Sequence, residues 1–445
     1  MLWLYRLIFL PALVLAAPYY LRRMRKRGGY SENFGHRFGV TPPFPPKRPG
    51  GRRIWLQAAS VGEVLAIAPI LEALQRDPAA EVYLTTTTST GYNLAKERCA
   101  GLVLAVGYFP LDWWGFARRA WRRVAPDLVI LMEGERWPEH IRQAQVRGVP
   151  VVCINARLSD RGYRRLRSAH WATPMLFGGI TRLLPCSRQD EERFRELGFA
   201  PDRIATTGNI KLDVTIPRLP DADRARLRRE LGLGGGLVLL GSSTWPGEEA
   251  ALLAAFSACR QAGLPISLLL VPRHAERREE IRALLQASGW RHHFRSAGAC
   301  PGETDVAVGD TTGELRAFTQ LADLVFVGKS LPPHHEGQTP VEAAALGKPI
   351  VFGPALSNFR EIARDLAARG AARVVRDAED LIATVPALLT DGATRATMAV
   401  AAQEWHRANQ GAVERTMAVI REELARVDRY RIPLGLNVIP RDQEV

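Results

Sequence analysis

Glu63 ends the stretch I-W-L-Q-A-A-S-V-G-E, which runs from Ile54. A short apolar run, Ile54 to Ala58, is followed by the turn residues Ser60-Val61-Gly62, and then Val64 to Leu74 brings apolar residues back at helical spacing. Strand, turn and helix in that order put a carboxylate at the carboxyl end of a strand, where ligands sit in open α/β sheets. Such an acid can take a proton from a substrate; it can equally be a first-turn acid facing the positive end of a helix dipole. Three more strand ends carry polar chemistry. Glu133-Gly134-Glu135-Arg136-Trp137-Pro138 follows the apolar run Leu128 to Met132, Asn155-Ala156-Arg157 follows Val151 to Ile154, and Gly208-Asn209-Ile210-Lys211 follows Ile204 to Thr207. A charged loop standing alone is usually only solvated. Glu63, Glu133, Asn155/Arg157 and Lys211 together outline one polar site.

The second half repeats the pattern with groups suited to phosphate. Gly241-Ser242-Ser243-Thr244 leads towards a helix bearing Glu248-Glu249, and small hydroxyl residues at a helix N-terminus make an anion site. Val271-Pro272-Arg273-His274 ends a strand with a planar guanidinium that can grip a phosphate through two hydrogen bonds. Asp310-Thr311-Thr312-Gly313-Glu314 is a strand-to-helix turn whose glycine admits close backbone approach to a ligand. Thr339-Pro340-Val341-Glu342 opens a helix with an acid that can accept hydrogen bonds from ribose hydroxyls. Each could be an ordinary cap; as a set they describe a nucleotide seat. Two other motifs do not qualify. Gly328-Lys329-Ser330 resembles the end of a P-loop, but Asp323 stands where its first glycine is required. The glycine-rich run Gly232 to Gly236 precedes a strand, whereas a dinucleotide fingerprint follows one.

The elements that must hold these groups alternate throughout. Apolar runs at Ile54–Ala58, Val82–Thr86, Leu128–Met132, Val151–Ile154, Leu183–Cys186 and Ile204–Thr207, and again at Val238–Leu240, Ile266–Val271, Val306–Val308, Leu324–Val327 and Pro349–Phe352, are separated by helical stretches. That is the pattern of βαβ units and parallel sheets. An α/β fold with two doubly wound domains is expected: 53–213 as the first, 214–223 as a linker with two prolines, and 224–426 as the second, whose last helix packs back across both; 427–445 is a tail. A length of 445 residues suits two domains with additions.

Charge and cysteine narrow the class. Of the net +14, residues 1–53 carry +10, eleven Lys/Arg against the one acid Glu32. An excess confined to one end points to an anionic membrane surface and away from nucleic acid. Leu2 to Leu21 is apolar apart from Arg6 and a few tyrosines, long enough to insert in a membrane, and runs into Arg22-Arg23-Met24-Arg25-Lys26-Arg27. Charges after the apolar segment predict a membrane anchor, 1–21, with the body on the cytoplasmic side, and a basic Pro/Gly-rich juxtamembrane segment, 22–52. Whether the anchor spans the bilayer or lies on it stays open. Five scattered cysteines without C-x-x-C spacing and nine histidines without ligand spacing argue against disulfides and structural zinc.

The ordered motifs resemble those of the 3-deoxy-D-manno-octulosonic acid (Kdo) transferases of lipid A biosynthesis, glycosyltransferase family 30. They run from Y-S-E-N-F-G-H-R-F-G at Tyr30–Gly39 through S-V-G-E, M-E-x-E-x-W-P, N-A-R-L-S, G-N-x-K-x-D, G-S-S-T with G-E-E, V-P-R-H, V-G-D-T-x-G-E-L and P-x-E-A-A-A-L-G-K-P to F-G-P and N-F at Phe352–Phe359. The resemblance implies a GT-B architecture with two Rossmann-like domains. It implies CMP-Kdo as donor and a lipid A precursor as acceptor, with no cofactor or metal, at the cytoplasmic face of the inner membrane. It further implies Glu63 as general base and Glu133 and Lys211 acting at the transition state. CMP contacts fall on Pro272, Arg273, Thr312, Gly313, Glu314, Thr339, Pro340, Val341 and Glu342. The chain departs from the family pattern at Lys329, where a glycine is usual, at Gln338-Thr339 in place of His-Asn, and at Gly134 and Arg136 in place of Thr and an apolar residue. These departures leave two alternatives: a GT-B transferase using another nucleotide sugar, and a membrane-tethered nucleotide binder without catalysis.

Overall fold

The computed structural model describes residues 1–25, 29–30, 32–334, 336–354 and 356–431. Lys26 and Arg27 of the basic run, His335 and the expected tail beyond 431 lie outside the described residues. The chain divides into two compact units, Met1–Lys211 joined by the chain from Gly411 on, and Leu212–Gln410.

The first unit is built on six parallel strands, β1 (Arg52–Gln57), β2 (Ala80–Thr86), β3 (Ala105–Tyr108), β4 (Leu128–Met132), β5 (Val151–Ala156) and β6 (Arg182–Pro185), in the order β3-β2-β1-β4-β5-β6. Side chains alternate faces along a strand, and both faces here are apolar. Ile54, Leu56, Val82, Leu84, Ile130 and Ile154 pack on one side, and Trp55, Tyr83, Val129, Leu131 and Cys153 on the other with Trp121, Phe177 and Phe194. Burial on both faces is why these strands read as continuous apolar runs. Ile204–Thr207, expected as a strand of this domain, makes only an isolated bridge, Leu183 to Ile204, directly after the tight turn Pro201–Arg203. The edge strand β3 carries little apolar signal in A-V-G-Y and was not expected.

The second unit has seven parallel strands, β7 (Leu237–Thr244), β8 (Ile266–Pro272), β9 (His292–Phe294), β10 (Val306–Val308), β11 (Leu324–Val327), β12 (Ile350–Phe352) and β13 (Ala372–Val374), in the order β13-β12-β11-β7-β8-β10-β9. The three-residue edge strands β9 and β13 were also unexpected. Residues 214–223 are no free tether: Val214 and Leu219 pack on the second unit's core, Leu219 N donates to Gln320 Oε1 at 2.8 Å, and a helix starts at Asp221. The last helix, Ala412–Arg431, lies in the first unit instead of closing the second. Its Met417, Ile420 and Leu424 join the core beneath β1, and Arg415 Nε donates to Thr207 O at 2.9 Å.

Candidate active site

Strand order in the first unit reverses at β1, which has β2 on one side and β4 on the other. The crevice of a doubly wound sheet opens at the carboxyl ends of the strands flanking such a reversal. Glu63 follows β1 and Glu133 follows β4, so topology alone brings the two acids to one place.

Glu63 sits in the first turn of the helix Val61–Ala66 with its carboxylate turned back onto the loop. Oε2 accepts the Ala59 amide at 2.8 Å and Oε1 accepts the Ser60 hydroxyl at 2.9 Å. The spacing Ser60-x-x-Glu63 is that of a capping box, but the amide captured is one residue earlier. Only 8% of Glu63 is exposed. Burial raises its pKa above the ordinary 4.5; the Ala59 amide lowers it, the Glu133 charge raises it, and the Ser60 hydroxyl and Lys211 lower it, leaving a net rise. The helix-cap reading and the base reading thus coexist: the cap contacts fix the carboxylate, and burial makes it more basic.

Glu133 adopts φ 60°, in the left-handed region that costs a non-glycine residue, and its amide is held by Ile154 O at 2.9 Å. The bend aims its side chain at Lys211, whose Nζ pairs with Oε1. Lys211 is placed by a second bent residue. Asn155, fully buried with φ 51°, accepts the Ile210 amide at 3.0 Å through Oδ1, while Asn209 Oδ1 accepts the Lys211 amide at 3.0 Å. The structure therefore gathers Glu63, Glu133, Asn155 and Lys211. The charge of Glu63 also reaches Glu135, which the motifs contained but which was not among the expected site residues. Burial pushes the Glu135 carboxyl up to about 7, against hydrogen bonds from the Trp137 indole and from Gln57 Nε2 at 3.3 Å. Arg136 stacks over the Phe177 ring at 5.4 Å. A Cβ at Gly134 would come within 3.2 Å of Arg136 Nη2 and 3.3 Å of the Arg157 carbonyl, so that the small residue at 134 and the long one at 136 fit each other.

In the second unit the order reverses at β7, between β8 and β11. β7 extends through Gly241-Ser242-Ser243-Thr244, beyond the expected strand end at Leu240, and the helix Glu248–Gln261 begins after Gly247. In its first turn Glu248 is buried and engaged by other loops. That buried carboxylate accepts the amides of Trp245 at 2.9 Å, Lys329 at 2.7 Å, Ser330 at 2.8 Å and Leu331 at 3.1 Å. Glu249 is likewise engaged, by Arg277 at 2.6 and 3.0 Å. Gly328 must be glycine, since a Cβ there would lie 2.3 Å from Ser243 O. Lys329 takes φ 59° and rests Nζ 4.1 Å from the Trp245 ring centroid.

Of the expected nucleotide contacts, Pro272 ends β8, and Arg273 beyond it is exposed, its amide held by Thr244 O at 3.1 Å. Thr312 and Gly313 are exposed at the turn after β10, Gly313 with φ 91°. Glu314 is tied to Thr311 Oγ1 and to Arg295 at 3.2 Å; burial raises its pKa, but these two partners outweigh that and hold it below the ordinary value. Thr339 Oγ1 accepts the Val341 amide at 3.3 Å, Pro340 caps the short helix Val341–Ala345, and Glu342 pairs with Arg316 at 2.8 Å. Asp310, between them, is buried against Arg278 and Ser296 and holds the turn. Thr244 Oγ1 and Trp245 Nε1 at the end of β7 are buried without a hydrogen-bond partner among the described residues. No group of three or more His, Cys, Asp or Glu that could hold a metal occurs among the described residues.

Known proteins match this architecture and these motifs together. The profile of the 3-deoxy-D-manno-octulosonic-acid transferase (kdotransferase) family matches residues 32–214. A 3-deoxy-D-manno-octulosonic acid transferase from Bordetella pertussis is 36% identical over 91% of this chain and 95% of its own length, and one from Haemophilus influenzae is 32% identical over 94% and 96%. Among solved structures, Anabaena HepE in complex with UDP superposes with a TM-score of 0.53 at 16% identity, covering 84% of this chain and all of that one. That likeness concerns the fold, which is of the GT-B type. The end-to-end identity to the Bordetella and Haemophilus enzymes goes further: this chain belongs to the Kdo transferase family and is a glycosyltransferase.

Proposed function

We propose that the chain transfers Kdo from CMP-Kdo to a sugar hydroxyl of a lipid A precursor, with inversion at the anomeric carbon, as a membrane-anchored enzyme on the cytoplasmic side of the inner membrane. The observation that carries this reading is the buried Glu63 carboxylate, fixed by two hydrogen bonds and made more basic than usual, beside the Glu133–Lys211 pair. Glu63 takes the proton of the acceptor hydroxyl while that oxygen forms its bond to the anomeric carbon. The bond from that carbon to the phosphate oxygen breaks from the opposite face, and CMP leaves with the electron pair. General-base assistance of this kind contributes ~10²–10⁴-fold. Lys211, held in place by Glu133, and Arg273 supply positive charge for the sugar carboxylate and the departing phosphate, a task that elsewhere falls to a metal ion. Thr312 to Glu314 and Thr339 to Glu342 hold the nucleotide, with Arg295 beside Glu314 and Arg316 beside Glu342. The apolar helix Leu2–Arg25 supports the membrane assignment, being long and apolar enough to insert.

The reading is tested by incubating freshly generated CMP-Kdo and a tetra-acylated lipid A precursor with the protein in EDTA, followed by mass spectrometry of the lipid. One or more Kdo units added is the expected result; no addition, with CMP still bound, contradicts it. A second reading, another nucleotide sugar as donor, is favoured by one observation. Lys329 places a cation over Trp245 where the family usually has glycine. Tighter binding of UDP than CMP in a thermal-shift titration would select it.

A further inference from the structure

The N-terminal helix is fastened to the first unit at both of its ends. Near its start Tyr5 Oη donates to Asp112 Oδ2 at 2.6 Å, and Arg6 forms a two-pronged pair with Glu139 at 2.8 and 3.1 Å. Near its end Tyr20 and Tyr30 hydroxyls meet at 2.8 Å, and Tyr30 reaches Thr87 O at 3.2 Å. Fourteen residues of helix separate these points, about 21 Å at 1.5 Å per residue. Leu2, Tyr5, Arg6, Phe9, Leu13, Ala17 and Tyr20 are the partly covered residues, at the three- and four-residue spacing of one helix face.

The receiving side is built for this contact. Glu139 and Asp112 are fully buried. Asp112 also caps the helix Pro138–Arg147 by accepting the Glu139 and His140 amides at 3.2 and 3.0 Å, and Gln143 Nε2 donates to Glu139 at 2.7 Å. Without Arg6, Glu139 would be a buried carboxylate lacking its cation, which proteins avoid at large cost. A helix crossing the bilayer away from the body could not keep Arg6 and Tyr20 on the same body. On its other face Trp3, Leu4, Leu7, Ile8, Val14 and Leu15 are exposed, Trp3 by 76% and Leu15 by 82%. The helix Trp114–Val124, which starts two residues after Asp112, exposes Arg118, Arg119, Arg122 and Arg123. An apolar helix face with arginines nearby matches the interface of an anionic bilayer, where acyl chains meet charged headgroups.

We propose that the helix Leu2–Arg25 does not cross the membrane but lies along the first unit, clamped by Tyr5 and Arg6 in the Asp112–Glu139 seat, and offers its Trp3–Leu15 face to one anionic leaflet. This rests on the membrane reading above and settles the form of the attachment. The test uses the full chain with a protease-cleavable tag before Met1, bound to sealed vesicles containing phosphatidylglycerol with the body outside. Protease added outside removes the tag from intact vesicles if the helix lies in the plane. A tag cleaved only after detergent means that the helix spans, and overturns the proposal. No vesicle binding at all would overturn the membrane reading itself, and the two failures are thus distinguishable. The clamp is read separately by thermal unfolding. Arg6→Glu should lower Tm, and Arg6→Glu combined with Glu139→Arg should recover part of the loss; an Arg6→Glu protein with unchanged Tm rules the clamp out.

Discussion

Glu63 has the two attributes a general base needs, a fixed direction and a raised proton affinity, and both come from the same loop. Replacing it with Gln keeps the shape and one of the two acceptor positions, the amide nitrogen being a donor only, and removes the basic site. Transfer should drop ~10²–10⁴-fold with CMP affinity unchanged by calorimetry. The pH profile follows from the sign of the shift. A base must be unprotonated, and burial holds the Glu63 proton on to higher pH than usual, so kcat/KM should fall on acidification through a pKa above 4.5. An acid limb at or below 4.5 would contradict the burial argument. Glu135 gives a stability counterpart. Its folded pKa near 7 lies above the ordinary 4.5, so the folded state binds more protons between those values and loses stability as pH rises through them. Glu135→Gln should therefore raise Tm relative to wild type at pH 8 and have little effect at pH 4. At this scale the motifs named the acids and Lys211, but not what tunes them. The Ala59 amide has no side-chain signature, and the bend at Glu133 puts φ 60° on a residue type that rarely marks such a position, whereas asparagine, at 155, is a type that does.

Elements deliver these side chains because parallel strands end where helices begin, and the reversals at β1 and β7 fix which ends lie together. Buried strands such as β4 and β5 are readable as unbroken apolar runs because both faces are covered. The edge strands β3, β9 and β13 are not, having three or four residues and partial exposure. Gly241 to Thr244 carry small and hydroxyl residues and little apolar signal, yet the strand continues through them, and Glu248 in the helix that follows is a buried hydrogen-bond acceptor. That carboxylate staples the loop after β11, which leads to the expected contacts Thr339 and Pro340, to the loop after β7. Glu248→Ala leaves four amides without an acceptor. At ~1 kcal/mol or more for each amide, a loss on the order of 4 kcal/mol is expected, together with weaker CMP binding. Unchanged Tm in differential scanning calorimetry would mean that water replaces the carboxylate fully.

Across the whole molecule, the chain leaves the first unit at Lys211 and returns at Gly411, so the first unit is not contiguous in sequence. Charged sequence in residues 412–431 supports only the expectation of a helix packing back; its destination depends on Met417, Ile420 and Leu424 joining the apolar cluster that includes Ile210, Leu184 and Val152. Removing residues 411–445 should strip on the order of 5 kcal/mol of burial from those three side chains, at 1.5–3 kcal/mol each, comparable with a domain's entire stability. The truncated protein should be insoluble or unfolded by circular dichroism although 1–211 is intact. The proposed chemistry is Kdo transfer with Glu63 as the base. Its most direct measurement compares wild type and Glu63→Gln for Kdo transfer from CMP-Kdo to the lipid A precursor, with CMP binding recorded on both. Kdo-modified lipid is expected from wild type in EDTA and ~10²–10⁴-fold less from the variant, at equal CMP affinity. Transfer by Glu63→Gln at the wild-type rate would contradict it.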